Sequence, residues 1–283
     1  MTARLWPTII AAFSLAMAVA LPGAQAAEPT AEAIHAAIKA ANPEYAGDAT
    51  FKYADGKLAV LSLMRCKKLV DTTPLAELDL RSVRSIVCYA TTDLEDLAGF
   101  RAATSLRQLN VERCKKVADL SPIKGLPIEW IRMYDLPLVT DLSPLTGMPL
   151  WHLDIGRCVQ ITDLSPINGM DLKDLRLDQC PGITDLSPLT AMQNLEFLTV
   201  FECPGITDYS ALKGKRLKTL LFSPESLSAA ELQLVRDMDS LELLGSNWGD
   251  WAKKMTPAQF WARYDAAKAT DHPTNDATEL DAK

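Results

Sequence analysis

The stretch Leu172-Lys-Asp-Leu175-Arg-Leu177-Asp-Gln-Cys180-Pro-Gly-Ile183-Thr-Asp185-Leu186-Ser-Pro188-Leu189 decides the fold. Leu175 and Leu177 alternate with polar residues, the period of a strand with one buried face. Asp185 then closes a turn by accepting backbone N–H groups, and Ser187-Pro188 opens a short helical turn as N-cap and first helical residue. So small a unit cannot bury its apolar side alone and has to stack on copies of itself.

The copies are present, and they register on an aspartate. Asp71, Asp93, Asp119, Asp141, Asp163, Asp185 and Asp208 are spaced by 22, 26, 22, 22, 22 and 23 residues. Five residues before each stand Cys66, Cys88, Cys114, Leu136, Cys158, Cys180 and Cys203. Upstream, Leu106/Leu109/Val111 and Leu150/Leu153/Ile155 repeat the strand pattern. The expected architecture is an α/β solenoid over residues 58–223, one coil per repeat. The 26-residue step carries four extra residues, about one α-helical turn, and predicts a true helix over Glu95–Thr104.

Both flanks read as caps. Thr30 caps a helix running to about Ala41, ended by Asn42-Pro43, and Asp55-Gly56 joins two short strands as a hairpin. Residues 27–57 thus form an N-terminal cap. Ser228-Ala-Ala-Glu231 is a capping box, Leu241–Leu244 adds a last strand, and Thr256-Pro257 opens another helix beside Trp248, Trp251, Phe260, Trp261 and Tyr264. Residues 224–268 are therefore a helical, aromatic C-terminal cap. Residues 269–283 are polar, without apolar periodicity, and are expected to be disordered.

Ile161-Thr-Asp-Leu-Ser-Pro-Ile167 and Ile183-Thr-Asp-Leu-Ser-Pro-Leu189 resemble the 22-residue repeats of internalin-type bacterial leucine-rich-repeat proteins. Cys180-Pro-Gly-Ile-Thr-Asp185 is also similar to the cysteine-containing repeats of eukaryotic F-box proteins, whose repeats are longer. The resemblance implies a curved α/β solenoid with a parallel β-sheet on its concave side and short 3-10 or α turns on its convex side, used to bind another protein.

Residues 1–26 have one charge, Arg4, an apolar run from Ile9 to Leu21, and Ala24-Gln25-Ala26, which together read as a cleavable secretory signal peptide. Cleavage near Ala26 removes one positive charge and moves the net charge from −7 to −8. An acidic exported domain without a basic stripe is a poor partner for nucleic acid or an anionic membrane. No further apolar run approaches the ~20 residues of a bilayer span. A monomer without membrane insertion, periplasmic or secreted, is expected.

Six cysteines in an exported chain ordinarily suggest disulfides. Here they fall one per coil, and coils about 4.8 Å apart hold neighbouring Cβ atoms farther apart than the roughly 3.8 Å of a disulfide. Six buried thiols forming a structural ladder are expected. The seven aspartates supply one carboxylate per coil, too few for the about six oxygens calcium requires, so they read as structural turn residues. No metal, cofactor or catalytic centre is expected: the histidines His35, His152 and His272 are scattered, and no nucleophile elbow, zinc-protease or phosphate-loop motif occurs.

Outward strand positions are more informative. Columns two, four and six residues before the ladder bring together Trp130, Arg132, Tyr134, His152, Asp154, Arg176, Phe197 and Phe201. Such residue types dominate interface hot spots. The reading that follows is a non-enzymatic module binding an unidentified protein through its concave face. Two alternatives stand beside it: a structural envelope component without a dedicated ligand, in which Arg132, Asp154 and Arg176 merely neutralise one another, and a carbohydrate binder using the C-terminal aromatic cluster.

Overall fold

The computed structural model describes residues 27–271. The expected signal peptide, and the expected disorder of residues 272–283, lie outside them. Residues 269–271, expected to belong to the tail, continue a helix instead.

Helix α1 (Ala31–Ala41) begins where Thr30 Oγ1 accepts the Ala33 N–H at 3.2 Å, and it buries Ile34 and Ile38. Asn42 ends it and ties it to the first coil. Its side-chain nitrogen donates to the carbonyls of Ile38 and Asp71, and its oxygen accepts the N–H groups of Val70 and Asp71, all at 2.7–3.0 Å. Strands β1 (Thr50–Ala54) and β2 (Lys57–Ser62) form the antiparallel hairpin. Eight parallel strands follow in sequence order: β3 (Ser85–Val87), β4 (Gln108–Asn110), β5 (Trp130–Arg132), β6 (His152–Asp154), β7 (Asp174–Arg176), β8 (Phe197–Thr199), β9 (Thr219–Leu221) and β10 (Leu243–Gly245).

The opposite side carries 3-10 turns, among them Ser121–Ile123, Ser143–Leu145, Ser165–Ile167, Ser187–Leu189 and Ser210–Leu212. Their caps are not the expected serines. The aspartate two residues earlier accepts the Ser N–H at 2.7 Å in all five, from Asp119, Asp141, Asp163, Asp185 and Asp208. In the first four the serine hydroxyl donates to the other carboxylate oxygen, also at 2.7 Å. Asp71 caps its turn likewise, through Thr73 N–H at 2.6 Å. Serine is the first residue of each turn, held by a carboxylate that satisfies its otherwise orphaned N–H.

The second coil departs from the expected register. Val87 pairs with Ser62 and with Asn110, which aligns Thr91, not Cys88, with Cys66 and Cys114. Its capping aspartate is Asp96, whose carboxylate accepts the Ala98 N–H, while Asp93 lies 3.7 Å from Lys116 Nζ. The 22- and 26-residue steps are really 25 and 23. Nor is there a helix over Glu95–Thr104. The three extra residues lie between Asp71 and β3, where the 3-10 turn Thr73–Glu77 is five residues long, and the second coil adds one more in a five-residue 3-10 helix, Ala98–Ala102.

Inside the coils a continuous core runs from Ile34 to Trp261, including Leu109, Ile131, Leu153, Leu175 and Leu198 from successive strands, all fully buried. At the far end, α2 (Ala229–Arg236), α3 (Trp248–Ala252) and α4 (Pro257–Asp271) close the array. Phe222, Phe260 and Trp261 pack together there, and Leu244 N–H donates to the Met255 carbonyl at 3.0 Å, occupying the last sheet edge. Asp250 is the hub of this cap. It receives Arg263 through two 2.7 Å bonds and the Ser246 N–H at 2.9 Å, and these hold its carboxyl down at about 2, below the usual range, against the effect of burial. Gly245 admits it, since a β-carbon there would stand 2.5 Å from Asp250 Cβ. Among the described residues no helix is long and apolar enough to cross a membrane.

Candidate functional site

Each coil leaves the sheet through a residue with positive φ immediately before the ladder: Arg65, Ala90, Arg113, Asp135, Arg157, Gln179 and Glu202, at φ 53–62°. A non-glycine residue there costs about 1 kcal/mol, and the N–H it turns inward offsets the cost. Arg113, Asp135, Arg157 and Gln179 donate to the next coil's Tyr134, Gly156, Asp178 and Phe201 carbonyls at 2.9–3.0 Å. The ladder side chains bond backward. Cys114, Cys158, Cys180 and Cys203 donate Sγ–H to the carbonyls of Cys88, Met133, Ile155 and Leu177 at 2.7–3.2 Å, and Thr91 uses its hydroxyl on the Leu63 carbonyl in the same way. Cys88, outside the ladder, is a fully buried strand residue equivalent to Val111. All six cysteines are free and buried, and desolvation pushes the Cys158 thiol up to about 12.

With the strand ends fixed, the concave rows fall into place. Trp130, His152, Asp174 and Phe197 are successive partners in one row, and Arg132, Asp154, Arg176 and Thr199 in the next. Exposure does not follow position. His152 is 4% exposed, Asp154 2% and Phe201 3%, whereas Trp130, Arg132, Tyr134, Arg176 and Phe197 are half-buried. The eight residues share one surface as expected, but three of them form its floor.

The middle of that surface is electrostatically closed. Arg132 Nε lies 3.0 Å from Glu112 Oε2 and 3.2 Å from Asp154 Oδ2. Burial raises the Asp154 carboxyl to about 6, against the Gly156 N–H that it accepts at 3.1 Å and the nearby Arg132 and Arg176 charges. Arg176 grips Asp174 through two bonds of 2.8 and 3.0 Å, and His152 Nδ1 lies 3.0 Å from Asp174 Oδ2. Burial tends to raise the Asp174 carboxyl, but these hydrogen bonds outweigh it and hold it below its ordinary range. Tyr134 lies across Gly156, where an added β-carbon would sit 2.8 Å from its ring. Three carboxylates, Glu112, Asp154 and Asp174, face two guanidinium groups, Arg132 and Arg176, so little net charge is left for long-range steering.

Aromatics flank the network. Trp130 stacks on His152 with centroids 4.9 Å apart and planes 8° from parallel. On the other side α3 folds Trp248 back over the sheet. Trp248 stacks on Phe197 at 6.2 Å, meets Phe201 edge-on at 6.1 Å, and donates its indole N–H to Asp178 Oδ2 at 3.3 Å. Arg176 lies over both rings, 4.9 Å from Phe197 and 5.3 Å from Trp248. Trp251, 42% exposed, packs edge-on against Trp248.

Sequence reasoning missed Trp248 as a concave-face residue, along with Thr91, Asp96 and the 43% exposed Trp151. Leu94 and Leu97 bracket Asp96 as Val117 and Leu120 bracket Asp119, a signal that would have found Asp96.

No protein-family model matches the chain, and no curated protein matches it. Solved structures do. An internalin from Listeria monocytogenes is similar at 23% identity and a TM-score of 0.50, over 68% of this chain and 63% of its own, so the match spans less than two thirds of that protein. Internalin C2 from the same organism is similar at 22% identity and a TM-score of 0.51, over 67% of this chain and 92% of its own. Regular parallel strands, 3-10 turns and these likenesses together establish the fold as an open leucine-rich-repeat solenoid of the internalin type.

Proposed function

We propose that the protein is an exported, non-enzymatic protein-binding module that recognises its partner across the concave sheet. The observation that carries this reading is the half-buried pair Trp130 and Phe197, held on rigid strands on either side of the self-neutralised Asp174–Arg176 pair. Large amphipathic rings on a preorganised surface bury apolar area on docking at little entropic cost, and neighbouring arginines give orientation. Export rests on the sequence of residues 1–26, and the absence of a recognised catalytic motif supports a binding role over chemistry. The carbohydrate alternative is less well supported, because Phe260 and Trp261 of the C-terminal cluster are buried in the cap.

The test compares two substitutions in partner capture by the exported protein. Trp130→Ala should weaken binding by about 2 kcal/mol or more while leaving the fold intact. Leu153→Ala, at a fully buried position, should instead lower stability by about 2–5 kcal/mol through a cavity. Unchanged capture by Trp130→Ala would remove the concave aromatics from the interface.

A further inference from the structure

The turn residues that end the strands form one row along the rim of the concave sheet: Arg65, Ala90, Arg113, Asp135, Arg157, Gln179 and Glu202. All but Ala90 carry polar side chains. The left-handed φ of 55° does not call for alanine, since glycine or asparagine adopts it more readily. Ala90 leaves a notch in the rim, and its two walls are Arg65 and Arg113, one coil to either side and about 10 Å apart.

Both guanidinium groups turn toward the ring at the floor of the notch, the half-buried Tyr89. Arg65 Cζ lies 5.6 Å from its centroid and Arg113 Cζ 5.8 Å. Arg113 Nη1 donates to the Tyr89 hydroxyl at 3.1 Å, which leaves the phenol proton to be donated elsewhere. Two like charges beside one ring repel, and the chain answers them only in part. Glu112 Oε1 is 3.8 Å from Arg113 Nε, while its other oxygen is held by Arg132 at 3.0 Å. Arg65 has no ion-pair partner among the described residues. The other charges at this end of the rim are engaged outside the notch: Lys68 with Glu44, Lys115 with Asp135, Lys116 with Asp93 and Glu95, and Asp48 with the Lys67 N–H. Tyr134, in the same column two coils on, is closed by comparison. It carries one arginine, Arg157 at 6.0 Å, and its hydroxyl donates to Gln179 Oε1 at 3.5 Å.

We propose that the Ala90 notch is the receptor for an acidic side chain, aspartate or glutamate, of the protein partner. This rests on the concave-face reading and names what the partner brings to that face. The two guanidinium groups and the Tyr89 hydroxyl supply donors from three sides, two of them charge-assisted. Met64, 45% exposed, and the partly exposed Val87 lie beside the notch and suit an apolar neighbour of that acid. The occupant is a polypeptide segment with a carboxylate next to an apolar side chain, not a bare polyanion.

Selection of a random dodecapeptide library on the intact exported protein tests this, with each peptide's C-terminus blocked by fusion to its carrier. Enriched sequences are then made as labelled, amidated peptides and titrated by fluorescence anisotropy. The expected result is a shared Asp or Glu beside an apolar residue, whose change to Asn or Gln weakens binding about tenfold or more. Arg65→Gln and Arg113→Gln should each have an effect of similar size, Tyr89→Phe a smaller one, and raised salt should weaken binding as well. Arg65→Gln, at an exposed residue without an ion pair, keeps the test decisive if thermal melts show that Arg113→Gln is poorly folded. Enrichment of no peptide, or of peptides without a carboxylate, overturns the proposal. So does binding that Arg65→Gln leaves unchanged. If Trp130→Ala abolishes that binding, the concave-face reading stands without this site; if Trp130→Ala is equally silent, both fall. A single-stranded oligonucleotide of equal charge that binds as tightly through Arg65 overturns the assignment to a polypeptide.

Discussion

The two halves of the concave sheet are built from the same strand positions and reach opposite states. Over β2 to β4 the outward side chains include Val60, Met64, Val87, Tyr89 and Gln108, partly or largely exposed, and the polar contact to Tyr89 comes from Arg113 at its hydroxyl, 3.1 Å away. From β5 onward Arg132 and Asp154 pair with each other, as do Asp174 and Arg176, with Glu112 at the end of the β4 coil joining Arg132, and Trp248 descends on Phe197 and Phe201. Strand geometry fixes only which way a side chain leaves the sheet. Whether it stays available depends on its neighbours one coil away and on what the end cap places above it.

The C-terminal cap is the first place to break this difference. Asp250→Asn removes the charge that Arg263 and the Ser246 N–H hold in a nearly isosteric way. Because Asp250 is buried while Arg263 is about half exposed, the expected loss is about 2–4 kcal/mol, somewhat below that of a fully buried pair. Trp248 should loosen with it, so a red-shifted, more quenchable tryptophan emission under native conditions is the accompanying sign. Loss of stability without any change in emission would separate Trp248 from the cap.

Protonation sharpens the same contrast. The folded Asp154 carboxyl titrates at about 6, above its ordinary value near 4, so folding favours its neutral form. Its contribution to stability is fully present below about pH 4 and is lost as pH rises through about 6, on the order of 2 kcal/mol in all. Asp250 acts in the opposite sense, with a folded value of about 2: its contribution is present above about pH 4 and is lost as pH falls toward 2. The two contributions together should therefore be largest near pH 4, and Asp154→Asn should flatten the decline between pH 4 and 6. Denaturant melts across that range decide it.

In the N-terminal half the second coil offers smaller tests. Thr91→Val deletes the hydroxyl bonded to the Leu63 carbonyl and should cost about 1–2 kcal/mol, since a buried carbonyl loses its partner. Ala90→Gly relieves a left-handed φ of 55° but adds chain entropy to the unfolded state, so its net effect should lie within about 0.5 kcal/mol of zero. A cost above about 1 kcal/mol at Ala90 would contradict the shared turn geometry of the coils.

That second coil also marks where the sequence stopped being legible. Leucine spacing, the Asp55-Gly56 hairpin and the Ser228 N-cap were all readable, because each depends on residues a few positions apart, whereas Glu231, read as the other half of a capping box, accepts the Tyr209 N–H instead. Cys88 and Thr91 are both small and both near the end of a strand, so aligning on cysteine shifted one coil by three residues. Only strand pairing distinguishes them. The burial of Asp154 and Phe201 was unreadable for a different reason: their cover comes from Arg132 one coil away and from Trp248, 47 residues after Phe201. Periodicity orders a column and carries no information about what later folds across it.

The most direct test of concave-face recognition is site-specific photocrosslinking in cells that export the protein, with the reactive group placed at Trp130 or, as a convex control, at Pro188. The account predicts an adduct with a different exported polypeptide from position 130 and none from position 188. An adduct from position 188 alone, or from neither position while partner capture succeeds, would contradict it.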